Sequence, residues 1–120
     1  MPLTPWVCID FDHTLVDHDV MLPGAKEAIM RLKEMGYGIM IHSCNSKQWI
    51  TKVLRDNDVH FDHIWDGPGK PAVDAYIDDR GVGFDGDWVK AVDEVRDMNK
   101  RRDKIRKIAD EHAKAKAGTE

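Results

Sequence analysis

A chain of 120 residues, 42% hydrophobic and 33% charged, carries enough apolar material for one domain with a core of its own, and its composition is not that of a disordered segment. Its apolar runs are too short for a secretory leader or a membrane span, and Cys8 and Cys44 form neither a metal-spaced pair nor a disulfide framework, so a reducing cytoplasm is expected. The net charge of −4 is uneven: residues 1–86 hold 8 Lys+Arg against 14 Asp+Glu, and residues 87–120 hold 10 against 8. An acidic body of this kind argues against a general nucleic-acid binder and raises the question of a cation.

Trp6-Val7-Cys8-Ile9-Asp10-Phe11 is an apolar run ending in acid, which predicts a buried strand. Pro23-Gly24 opens a helical stretch with Ala25, Ala28, Ile29, Leu32 and Met35 on one face, and Gly36 stops it. Gly38 to Ser43 predicts a second buried strand. Ser46 caps a second helix with Trp49, Ile50, Val53 and Leu54 as its apolar stripe. Phe61–Trp65 predicts a short third strand, Gly67–Pro71 a loop, Ala75–Asp78 a fourth strand, and Val82–Phe84 an edge piece. From Asp87 the pattern is helical nearly to the end, with Trp88, Val92 and Val95 expected to dock on the sheet. The Lys/Arg-rich portion beyond Met98 is expected to be a solvated helix or a fraying tail. Strands alternating with helices predict a parallel sheet with right-handed crossovers. Residues 1–98 read as a core domain and 99–120 as a basic, charged helical extension.

Three predicted strands end in polar residues: Asp10 and Asp12 after the first, His42-Ser43 after the second, Asp78-Asp79 after the fourth. Ligands of open parallel sheets bind outside the carboxyl ends of the strands, so these residues should converge. Four carboxylates sharing a crevice need a compensating cation, most simply Mg²⁺ held by Asp10, Asp12, Asp78 and Asp79, with Lys70 as a fixed positive charge nearby. A carboxylate nucleophile, a second carboxylate two residues on, a hydroxyl, a lysine and Mg²⁺ are the parts of phosphoryl transfer through an aspartyl phosphate. Ser43, with the amides of Cys44 and Asn45, can donate to the phosphoryl oxygens. The Gly67–Lys70 loop is no Walker loop, because Ile64 stands at the upstream glycine position and Pro71 replaces the Ser/Thr.

Asp10-Phe11-Asp12-His13-Thr14-Leu15, the apolar run ending in His42-Ser43, Lys70, and Ile77-Asp78-Asp79 resemble the four ordered motifs of the haloacid dehalogenase superfamily. The stretch from Gly69 to Arg80 further resembles a small capless branch of it. The resemblance implies a three-layer Rossmann-like α/β fold, a parallel sheet flanked by helices with a C-terminal helix. Neither interval between motifs has room for a cap domain. It implies a Mg²⁺-dependent phosphate monoester hydrolase with Asp10 as nucleophile and metal ligand. Asp12 would be the general acid/base, also binding metal through its backbone carbonyl. Ser43 and Lys70 would hold the transferring phosphoryl group, with Cys44 and Asn45 beside them, and Thr14 would support the aspartate loop. Asp78 and Asp79 would complete the metal site. Three positions depart from the pattern: His13 where glycine is common, Asn45 where compact relatives often have arginine, and only eight residues from Lys70 to Asp78. His18 and Asp19, in the following loop, rank below these as substrate contacts.

The expected substrate is a phosphorylated small molecule or a polymer end, reached through an open site that a homo-oligomer could cover. The rivals are a phosphotransferase or polynucleotide- or protein-end phosphatase on the same residues, and a non-catalytic binding module. The second is disfavoured by Asp12, since binding alone needs no general acid.

Overall fold

The computed structural model describes residues 4–18 and 20–119. Four parallel strands, β1 (Trp6–Asp10), β4 (Gly38–His42), β5 (His63–Trp65) and β6 (Ala75–Ile77), form one sheet in the order β5-β4-β1-β6. Helix α1 (Ala25–Glu34) connects β1 to β4 and α2 (Lys47–Asp56) connects β4 to β5. Both steps run to the same side of β1, whereas β6 pairs with its other edge. The strand order therefore reverses at β1, and a crevice opens beyond Asp10.

Odd positions of β1 and β4 face both helices. Val7, Ile9, Phe11, Ile39 and Ile41 pack with Ile29 of α1 and with Ile50 and Leu54 of α2 into the buried core. The helix ends follow the sequence signals. Gly36, at φ 96°, ends α1 with its N–H on the Lys33 carbonyl, and the N–H of Tyr37 reaches Leu32. Ser46 caps α2 by accepting from the Trp49 N–H at 3.2 Å.

On the opposite face the expected third layer is incomplete. The crossover from β5 to β6 contains no helix, because the span from Asp66 to Asp74 is too short to cross the sheet and also turn helical. Loop residues Lys70 and Pro71 line that face beside Cys8 and Tyr76. The loop is pinned by Trp65 Nε1 donating to the Gly69 carbonyl at 2.9 Å and by the Tyr76 hydroxyl donating to the Pro71 carbonyl. Asp74 exchanges hydrogen bonds with the backbone of Trp6, which sets the start of β6 against β1.

Three expectations need correction. Residues Val82–Phe84 form no strand. The helical stretch after Asp87 breaks at Asp97 into α3 (Trp88–Arg96) and α4 (Met98–Thr119). Trp88, Val92 and Val95 do not dock on the sheet; they are 71%, 61% and 62% exposed. The amphipathic stripe is real, but α3 packs against α4 and buries only Ala91.

The basic extension is a largely exposed helix, as expected, and it is anchored to the body. Helix α4 packs on a hairpin absent from the sequence reading, β2 (Val16–Asp17) and β3 (Val20–Met21), and buries Ala109. Asp19 lies outside the described residues. No described helix is long and apolar enough to cross a membrane.

Candidate active site

Chain reversal after β1 is tight. The N–H groups of Leu15 and Val16 both return to the Phe11 carbonyl, and His13 takes a left-handed φ of 62°. This turn carries Asp12 back over the strand ends, where β4 supplies Ser43. The Ser43 hydroxyl donates to Asp12 Oδ2 at 2.7 Å while accepting the Asn45 N–H at 3.0 Å. The Asn45 amide donates to Asp12 Oδ1 at 2.7 Å. Both oxygens of Asp12 are thus held by donors from the segment between β4 and α2.

Asp10 closes β1 and borders a cavity of about 190 Å³ with Lys70, Asp78 and Asp79. Burial, then a hydrogen bond and charge repulsion from Asp79, then the charges of Asp12 and Asp78, push the Asp10 carboxyl up to about 7. Asp79 is 4% exposed, and its Oδ2 has no hydrogen-bond partner among the described residues; Arg80 Nε stands 4.0 Å away. Lys70 Nζ lies 3.9 Å from Asp78 Oδ2 and 5.1 Å from the centre of the Tyr76 ring. Asp78 Oδ1 accepts the Gly81 N–H, and a Cβ at position 81 would lie 2.5 Å from that oxygen, so a side chain there would displace the Asp78 carboxylate. Cys8, on the same face of β1 as Asp10, has its thiol pushed up to about 11 by burial and then by the Asp10 charge, which leaves it inert.

These carboxylates suit a hard cation. Their donors are oxygens, one carboxylate oxygen is buried without a donor, and Asp10 holds a proton that a cation would displace. Among the described residues, however, no three His, Cys, Asp or Glu side chains gather around one point. The four-aspartate shell expected from sequence is therefore not assembled through side chains. A Mg²⁺ ion here would take fewer carboxylates and complete its shell with backbone oxygen and water.

Thr14 lies in the aspartate loop, its hydroxyl buried with no hydrogen-bond partner among the described residues, and it also borders an apolar cavity with Ile9, Leu22 and Ile29. Cys44 stands exposed between Ser43 and Asn45. Three residues that hold the site were missed. Arg101 donates to the carbonyls of Asp79 (3.1 Å) and Gly81 (2.7 Å), fixing the turn that carries Asp78 and Asp79. Asp17, 3% exposed, binds His13 Nδ1 at 2.6 Å and Arg106 Nε at 2.7 Å. The only trace of Asp17 in sequence is an apolar frame, Leu15-Val16 before it and Val20-Met21 after it. Nothing distinguishes Arg101 and Arg106 from their basic neighbours.

No protein-family model matches this chain, and neither does any curated protein. A solved structure of a conserved protein from Bacteroides thetaiotaomicron superposes with a TM-score of 0.54 at 23% identity, covering 77% of this chain and 89% of the other. At that identity the likeness establishes the α/β fold alone.

Proposed function

We propose that this protein is a Mg²⁺-dependent phosphate monoester hydrolase of the haloacid dehalogenase type, capless and cytoplasmic, working through an aspartyl phosphate on Asp10. The observation that carries the reading is the meeting, at the sheet's reversal point, of a half-buried Asp10 with a buried Asp79, near Lys70, Asp78 and Asp12. Structural duty alone does not account for a carboxyl hydrogen-bonded to a second, buried carboxylate.

In this mechanism Asp10 attacks phosphorus in line with the departing oxygen, forming an acyl phosphate. Ser43 Oγ and Asn45 Nδ2, which hold Asp12 in the absence of substrate, turn to the phosphoryl oxygens and free the Asp12 carboxyl. Asp12, once freed and protonated from solvent, gives its proton to the leaving oxygen as the P–O bond breaks, and the resulting carboxylate later takes a proton from the water that hydrolyses the acyl phosphate. Lys70 balances charge on the nucleophile side. Bound Mg²⁺ supplies positive charge that keeps Asp10 ionised and offsets the phosphoryl oxygens. Free Cys8 and Cys44 suit a reducing compartment.

The test is hydrolysis of p-nitrophenyl phosphate with Mg²⁺ or EDTA by the wild type and by Asp10→Asn. Turnover that requires Mg²⁺ and is lost in the variant is expected. Activity surviving Asp10→Asn overturns the nucleophile assignment. Absence of turnover in a folded, Mg²⁺-binding wild type favours a transferase or a binding module.

A further inference from the structure

The ion pairs of Asp17 have no part in the chemistry above, yet they are the most buried in the molecule. A buried carboxylate is stable only when its donors are in place, and here they come from the aspartate loop (His13) and from a helix 89 residues further on (Arg106). Arg106 also contacts His18 on the hairpin. Together these bonds hold α4 across the mouth of the hairpin and enclose a cavity of about 390 Å³.

The walls of this cavity are basic where they are not already paired. Arg106 is neutralised by Asp17. Arg102 is exposed and has no acidic partner among the described residues, and Arg80 reaches only Asp79, at 4.0 Å. Asp103 is the one further carboxylate on the lining. Two guanidinium groups and one further carboxylate thus line the cavity, and the planar fork of arginine matches carboxylate and phosphate oxygens.

Position relates this cavity to the reaction. Arg80 borders both it and the cavity above Asp10. His13, on the lining of this cavity, is the chain neighbour of Asp12, to which the proposed mechanism gives protonation of the leaving oxygen, and the inference takes the leaving group to depart on this side. The volume suits a single small group.

We propose that this cavity binds a second anionic group on the leaving part of the substrate, so that the preferred substrate is a small phosphate monoester whose alcohol carries a further carboxylate or phosphate. The inference rests on the phosphatase reading for the position of the leaving group. Arg102 and Arg80 bind the second anion, and Asp17 is a positioning residue that acts through Arg106 and His13.

The test compares kcat/KM for 3-phosphoglycerate with glycerol 3-phosphate, and for 1,3-propanediol bisphosphate with the monophosphate. Calorimetric titration of the first pair into Asp10→Asn measures binding without turnover. A preference of at least about 10-fold for the doubly anionic ester is expected in the wild type, falling to roughly twofold in Arg102→Ala. It is retained in Lys104→Ala, which removes a charge from the same helix away from the cavity. Equal values within each pair, or equal losses in Arg102→Ala and Lys104→Ala, overturn the subsite. So does preference for a 5′-phosphorylated oligonucleotide over every small ester. Turnover without preference removes the subsite and leaves the phosphatase. Calorimetric preference without turnover of any ester leaves the subsite and removes the phosphatase.

Discussion

Neutralising Asp10 should stabilise the metal-free protein. Burial, the Asp79 carboxyl and the charges of Asp12 and Asp78 lift Asp10 from 3.8 to about 7, so the folded chain retains a proton there that the unfolded chain releases near pH 4. Stability therefore falls as pH rises from about 4 to about 7, and above 7 the full cost of the ionised group is present. A difference of about three pH units corresponds to a ceiling of about 4 kcal/mol. Solvent at the half-buried Asp10 screens this to roughly 1–3 kcal/mol. Asp10→Asn removes the charge, keeps the shape and can donate to Asp79. In EDTA at pH 8 the variant should melt roughly 4–12 °C above the wild type, at about 4 °C per kcal/mol for a domain of this size. At pH 5, where Asp10 is ionised in the unfolded chain but protonated in the folded one, the difference should shrink to roughly 40% of its pH 8 value, vanishing only below about pH 4. Mg²⁺ at pH 8 should raise the melting temperature of the wild type and leave Asp10→Asn almost unmoved. Differential scanning calorimetry decides the matter. A variant no more stable than the wild type at pH 8, or equally favoured at both pH values, would refute the account of Asp10 as a carboxyl held against its neighbours.

Arg106→Ala leaves the buried Asp17 with His13 alone and should cost about 3 kcal/mol in urea unfolding; a loss under 1 kcal/mol would show that the hairpin holds without the pair. Burial by itself would raise Asp17, but the hydrogen bonds and charges of His13 and Arg106 outweigh it and hold the carboxyl below 3.8. The stability this confers is present above pH 4 and is lost as pH falls through the lower folded value, so the wild type should show a steeper acid loss than Arg106→Ala. Gly81→Ala drives a Cβ against Asp78 Oδ1 and should weaken Mg²⁺ binding about 10-fold in a calorimetric titration, with little change in unfolding; unchanged affinity would remove Asp78 from the metal site.

Local pattern determined much of this molecule. The alternation of short apolar runs with helical stripes fixes β1, α1, β4 and α2, because each has its own period and its own stop or cap, as at Gly36 and Ser46. Placing Asp10 at a strand end follows from the same pattern, since the apolar run stops there. The short spacing from Lys70 to Asp78 already leaves no room for a crossover helix, and the structure has none. Other features depend on partners far along the chain. The β2–β3 hairpin is only four paired residues and becomes stable through α4, so its own sequence gives no strand signal. The stripe of Trp88, Val92 and Val95 identifies a helix face without saying what meets it, and in the fold α3 packs on α4 with that stripe left in solvent. Arg101 and Arg106 read as solvated charges because composition carries no distance. Only the fold brings them to the carbonyls of Asp79 and Gly81 and to the buried carboxylate of Asp17. Local periodicity is written in neighbouring residues, whereas the partner of a buried charge is chosen by chain topology, which a single sequence does not display.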